Sequence, residues 1–189
     1  SSHSGSIFLE VCASASIRMA LAEPHSRPKS VGADLLVGPG WLESLLANTE
    51  TTSPPHVVLE VFYIPRPGDA GADSQCESEE CVPGAVSVHP SYFEAEWDAD
   101  RYYPNYSCAR DGNLLPDERL CAALAGLGIC EGSLVVVYGK GGDASPMFAC
   151  RAVWALMYAG VQDVRLLDGG MAAWRRHGGR TAALPRPPV

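Results

Sequence analysis

Between Leu134 and Cys150 the chain runs Leu-Val-Val-Val-Tyr, then Gly-Lys-Gly-Gly-Asp-Ala, then Ser-Pro-Met-Phe-Ala-Cys. Three consecutive valines with no polar alternation predict a strand buried on both faces, since β-branched side chains suit a pleated surface. The strand ends at Gly139. Glycines at 139, 141 and 142 give the following loop its conformational freedom, and Ser145-Pro146 has the form of an N-cap with proline at the first helical position. A strand, a short glycine loop and a helix N-terminus aim unpaired N–H groups and a helix dipole at one point, which suits an anion. Gly139, Lys140, Gly141, Gly142, Asp143, Ala144 and Ser145 are therefore the expected anion-binding loop. A tight turn whose glycines serve only the chain reversal is the competing reading.

Known phosphate-binding patterns do not fit. A P-loop needs four residues between its first glycine and Gly-Lys, whereas six separate Gly132 from Gly139. A dinucleotide fingerprint needs a third glycine where Ala144 stands.

Strand and helix patterns alternate along the rest of the chain. Leu35-Leu36-Val37 opens the ordered part, and Trp41, Leu42, Leu45 and Leu46 share one helical face. Val57-Val58-Leu59-Glu60-Val61 reads as a second buried strand. Its Glu60 either reaches the C-terminal edge of a sheet or lies exposed beside a loop. Pro83-Gly84 turns the chain into Ala85–Val88, a third strand, and Leu120, Leu124 and Leu127 mark a helix after Pro116. The helix from Pro146 to Ala159 carries a single charge, Arg151, so it is expected to be covered on more than one side. Val164–Leu167 is a further strand, Asp168-Gly169-Gly170 a turn, and Met171–His177 a short helix. The pattern predicts an α/β three-layer fold, a mostly parallel central sheet with helices on both faces and ligands at the strand C-terminal ends. The aromatics Tyr92, Phe93, Trp97, Tyr102, Tyr103 and Tyr106 either line a pocket or cover one end of that sheet.

Residues 1 to 33 lack a regular period and read as a disordered lead of native, tag or targeting origin; 34 to 180 form one domain, and 181 to 189 a proline-rich linker or tail. The acidic stretch from Gly68 to Glu80 reads as an exposed loop. With 14 basic and 22 acidic residues the net charge is −8, which opposes nucleic acid and anionic membranes as partners. Seven unevenly spaced cysteines do not make a disulfide framework and suit a reducing setting, cytoplasmic or mitochondrial. Cys76 and Cys81, with His89 beyond, are a poor zinc frame. No metal and no cofactor are expected.

Several segments together resemble the rhodanese family: Val57–Val61, Val82-Pro83-Gly84-Ala85-Val86, Leu134–Tyr138 with its loop, and Leu167-Asp168-Gly169-Gly170-Met171-Ala172-Ala173-Trp174. Asn113-Leu114-Leu115-Pro116 and the helix that follows resemble the first domain of tandem thiosulfate and 3-mercaptopyruvate sulfurtransferases. The resemblance implies a rhodanese-like fold in which Glu60, Pro83, Gly84, Asp168, Gly169, Gly170 and Trp174 are structural signature positions. It also implies a sulfur-accepting cysteine immediately after the central strand, where the loop's N–H groups stabilise a thiolate. This sequence has Gly139 there, Glu60 where aspartate is usual and Cys81 where histidine is usual.

Three functions follow as expectations. The first is a non-catalytic first module of a tandem sulfurtransferase, its partner a second rhodanese domain in the same protein. The second is a stand-alone module binding a small sulfur-containing anion or a protein. The third is an active sulfurtransferase using another cysteine. Cys150, about one turn inside the helix, is expected to be a small buried side chain. Cys81 is expected to have its thiol pKa raised by Glu79 and Glu80. Lys140 is the loop's cation, offset by Asp143.

Overall fold

In a computed structural model of the chain, the described residues are 35–48, 56–62, 80–96, 110–141 and 145–183. The lead at 1–33, most of the acidic loop, Trp97, Tyr102, Tyr103, Tyr106 and the tail from 184 lie outside them.

Five strands make the central sheet: β1 (Leu36–Val37), β2 (His56–Val61), β4 (Val86–Val88), β7 (Leu134–Gly139) and β8 (Asp163–Leu167), in the order β1-β8-β7-β2-β4. All four pairings are parallel. The sequence signal for β7 was its valine run, and the central position explains that run: Val135, Val136, Val137 and Tyr138 are all fully buried. Side chains alternate between two cores. Leu59, Val61, Val135 and Val137 pack under α2 (Asp117–Gly126) and α3 (Ser145–Tyr158). Val58, Val136 and Tyr138 pack on the other face, under α1 (Pro39–Ala47) and α4 (Gly170–His177). The expected three-layer α/β architecture is the one observed.

Two small antiparallel pairs complete the fold. β3 (Glu80–Cys81) pairs with β9 (Ala182–Ala183), so regular pairing runs past residue 180 into the segment read as a tail. β5 (Glu94–Glu96) pairs with β6 (Arg110–Leu114), and a 3₁₀ turn at Pro90–Phe93 leads into it. Of the expected aromatic cluster, Phe93 is buried in the core, while Tyr92 lies at the surface and donates its hydroxyl to the Ala123 carbonyl at 3.3 Å.

Glycine fixes the chain at a few points. Val82-Pro83-Gly84-Ala85 is a β-turn closed by Ala85 N–H to Val82 O at 3.0 Å, with Gly84 at φ 78°, the position that Pro-Gly suits. Gly170, at φ 55°, starts α4 against β7: a Cβ there would lie 2.8 Å from the Gly139 carbonyl oxygen. Gly179 lies under Trp174, where a Cβ would run into the indole. The Trp174 ring N–H donates to the Arg180 carbonyl at 2.9 Å and ties the chain after α4 back to the domain.

Candidate functional site

The C-terminal edge of the sheet is set by neighbouring strands in register. Glu60 of β2 stands beside Tyr138 of β7 on one side and Ser87 of β4 on the other. Glu60 is fully buried, so its exposed-acid reading is overturned. Its carboxylate accepts the Tyr138 hydroxyl at 2.7 Å on Oε2, and the Ser87 hydroxyl at 3.1 Å and Lys140 Nζ at 3.0 Å on Oε1. The same Tyr138 oxygen accepts the Val82 backbone N–H at 3.0 Å. A buried charge needs such partners. Burial first, then the Glu60 charge, pushes the Tyr138 phenol far above its usual range, against the opposing Val82 N–H bond, so Tyr138 is a neutral hydrogen-bond bridge.

Lys140 has a charged partner inside the fold, while Asp143, the expected one, lies outside the described residues. Its ammonium is the partner of Glu60, with only 11% of the side chain exposed, and its backbone N–H donates to Val61 O at 2.9 Å. The cation is offset by Glu60, inside the fold. Gly139 is the buried last residue of β7, and Gly141 is exposed beyond it. Gly142, Asp143 and Ala144 lie outside the described residues, and Ser145 is the first residue of α3.

The signature residues at the other end of the edge serve the chain reversal. Asp168 is exposed, and its backbone N–H donates to Val37 O at 2.9 Å. Gly169, at φ 72°, caps α4, its carbonyl accepting Ala173 N–H at 3.0 Å. Trp174 is buried in the core shared with Met171 and Leu42. Pro83 and Gly84 form the turn already described.

Two cysteine expectations change. Cys150 is exposed, not buried. The side chain lies on the outer face of α3, where the helix meets a cavity, so its distance from the loop along the chain did not bury it. Cys81 is fully buried in β3, and its thiol pKa is raised mainly by desolvation and then by Glu60, with Lys140 opposing. Glu80, one of the acids expected to raise it, instead points outward to Arg175 at 3.5 Å.

The cavity occupies about 330 Å³ between α3, α4 and the ends of β1, β7 and β8. Its lining is largely apolar: Leu36, Pro146, Ala149, Leu166, Leu167 and Met171, with the glycines 139, 141, 169 and 170, and Cys150 and Asp168 as its functional groups. Sequence reasoning missed Leu36, Tyr138 and Ser87. A tyrosine and a glutamate both one residue before the end of their strands were the available signal for the hydrogen-bonded set. Among the described residues no group of three or more His, Cys, Asp or Glu side chains is placed to hold a metal, and no helix is long and apolar enough to cross a membrane.

Comparison with known proteins gives this geometry a family. A family profile described as Rhodanese-like domain matches residues 69–177, more than half of the chain. The thiosulfate sulfurtransferase YnjE of Escherichia coli K12 is 32% identical over 157 residues, covering 82% of this chain and 31% of that protein. Thiosulfate sulfurtransferase of Gallus gallus is 29% identical over 155 residues, covering 82% of this chain and 48% of that protein. Among solved structures, the anaerobic ergothioneine biosynthesis enzyme from Chlorobium limicola superposes with a TM-score of 0.59 at 25% identity, over 82% of this chain and 35% of that one. The chain thus spans between about a third and a half of the length of these relatives. With a parallel sheet in this order, a glycine loop at the end of its central strand and a profile match across most of the sheet, the chain belongs to the rhodanese-like family.

Proposed function

We propose that the chain is the non-catalytic first module of a tandem sulfurtransferase of the thiosulfate or 3-mercaptopyruvate type, its sulfur-accepting cysteine carried by a following domain. The observation that carries this reading is Gly139. It ends the central strand, at the position that the family resemblance gives to the nucleophile, and it has no side chain. Lys140, the next residue, is held by Glu60 and so contributes to the fold what it would otherwise offer to an anion. The greater length of the sulfurtransferase relatives supports the same reading.

A second reading has one observation in its favour. Cys150 is exposed at the rim of the cavity that Gly139 and Gly141 also line, so it is the thiol for an active enzyme with a displaced nucleophile. Cys81, fully buried, does not serve.

A thiosulfate:cyanide sulfurtransferase assay separates the two. The natural chain is expected to be inert, and Gly139→Cys to release thiocyanate, because Gly139 is a strand residue whose extended backbone a cysteine can adopt. Activity in the natural chain that disappears in Cys150→Ser would replace the first reading with the second.

A further inference from the structure

We infer that a second, smaller cavity, on the α1/α4 face, is a binding site for a zwitterion of amino-acid size with an apolar side chain. It occupies about 230 Å³ and is lined by Glu43, Leu46 and Ala47 of α1, Pro83 of the turn after β3, Trp174 of α4, and Arg180. None of these residues lines the cavity at the strand ends, so the site is independent of any sulfur chemistry there. Its volume is below the roughly 300–1,000 Å³ of pockets that take drug-sized molecules, and its ligand is correspondingly small.

Two opposite charges line this cavity, and they form no salt bridge with each other. Glu43 holds His177 Nε2 through Oε2 at 3.1 Å, while its Oε1 has no partner among the described residues. Arg180 is exposed, and its guanidinium bonds to no described residue. Leu46 and Ala47 end α1, whose last turn carries no basic side chain, so the negative end of that helix adds to Glu43. Glu43 and the helix end suit an ammonium, and Arg180 suits a carboxylate, which a guanidinium can hold through two parallel hydrogen bonds. A ligand of a single sign would meet a like charge in the same small space. A zwitterion satisfies both, and Leu46, Pro83 and Trp174 offer its side chain an apolar wall.

The walls are held before any ligand arrives. The Arg180 carbonyl accepts the Trp174 indole N–H at 2.9 Å, and Gly179 N–H donates to Trp174 O at 3.1 Å, so the backbone carrying Arg180 is tied to the indole. Ala182, two residues on, pairs with Cys81, and the chain from Cys81 runs directly into Val82-Pro83. Pro83 itself stands in the turn closed by Ala85 N–H to Val82 O at 3.0 Å. Binding therefore has to order little beyond the ends of the Glu43 and Arg180 side chains, which keeps its entropic cost low.

The test is NMR titration of this chain with free leucine, read at the Trp174 indole N–H and the backbone amides of Leu46, Ala47 and Arg180. Saturable shifts are expected there, with a dissociation constant on the order of 1 mM or lower, and none at the indole of Trp154 on α3. Isoamylamine, which lacks the carboxylate, and isocaproate, which lacks the ammonium, should each bind at least about tenfold more weakly, the effect of losing one charged hydrogen-bonded group. Arg180→Gln should weaken leucine binding at least about tenfold and leave isoamylamine no weaker, and Glu43→Gln should do the same to leucine and leave isocaproate no weaker. Both side chains are exposed, so the fold is kept. No saturable shift with leucine at about tenfold the expected constant would overturn the assignment, as would undiminished leucine binding by either variant. Isoamylamine or isocaproate binding as tightly as leucine would make the cavity a site for a single charge and also overturn it.

Discussion

Tyr138 joins three strands through one oxygen: it donates to Glu60 of β2, accepts from Val82 beside β3, and is itself part of β7. Tyr138→Phe leaves the Val82 N–H and one Glu60 oxygen without that partner, so a loss of about 1–3 kcal/mol in urea unfolding is expected. Glu60→Gln keeps an acceptor for the tyrosine but takes the carboxylate charge away from Lys140, and should cost about 2–4 kcal/mol by the same measurement. The pH dependence has a definite sign. Cys81 and Tyr138 have pKa values raised above the ordinary 9.0 and 10.0, so the unfolded chain releases these protons first. Their contribution to stability is complete below about pH 9 and is lost as pH rises beyond it. Urea midpoints followed from about pH 7 to about 10.5 should be level and then fall. Cys81→Ala should shrink the fall that starts near the thiol value, and Tyr138→Phe the fall that starts near the phenol value. A level profile in the natural chain would contradict the burial of both groups. At this scale the sequence supplied names without environments. Glu60 suited either a sheet edge or water, and Cys150 was read as buried, because each depends on which neighbour stands across the sheet or above the helix.

The β7–α4 contact shows how glycine sets the spacing of elements. At Gly170 both the backbone and the space forbid a side chain: φ is 55° and a Cβ would press on the Gly139 carbonyl at 2.8 Å. Gly84 has φ 78° with nothing within 4 Å. Gly84→Ala should therefore cost about 1 kcal/mol, for the backbone alone. Gly170→Ala should cost about 3 kcal/mol or more, since α4 must also move off β7. Thermal unfolding of the two variants gives the comparison, and equal losses would show that α4 moves without resistance. The long elements were legible because their apolar periods are strong: β2, β7, β8, α2, α3 and α4 all lie where the pattern put them, within a residue or two at the ends. β5 and β6 were not. Glu-Ala-Glu and Arg-Asp-Gly-Asn-Leu carry no strand signal, and they pair because the 3₁₀ turn at Pro90–Phe93 and Leu115, bonded to Phe93 O at 2.9 Å, bring them together.

Across the whole molecule the parallel sheet divides the work between its two faces. The α1/α4 face is sealed by Leu42, Met171 and Trp174, whereas on the α2/α3 face Met147, Trp154 and Tyr158 of α3 are exposed, so a helix expected to be covered on more than one side is covered on one side only by the described residues. Trp154 stacks on Tyr158 and lies under the Arg151 guanidinium. Trp154→Glu should change the unfolding free energy by no more than about 1 kcal/mol, the scale of the lost stacking and cation–π contacts, while raising the solubility limit. A larger destabilisation would mean that Trp154 belongs to the core. By itself, the sequence determined the layer architecture, a mostly parallel sheet and the loop at the end of β7, since these follow from local apolar period and from turn residues. Only the tertiary structure decided that Glu60 and Lys140 neutralise each other inside the fold, that the cavity at the strand ends is apolar, and that one side of α3 faces outward. Those outcomes depend on contacts between residues far apart in the chain, such as Lys140 with Glu60, 80 positions apart. Local period cannot encode a charge partner that the sheet register brings alongside.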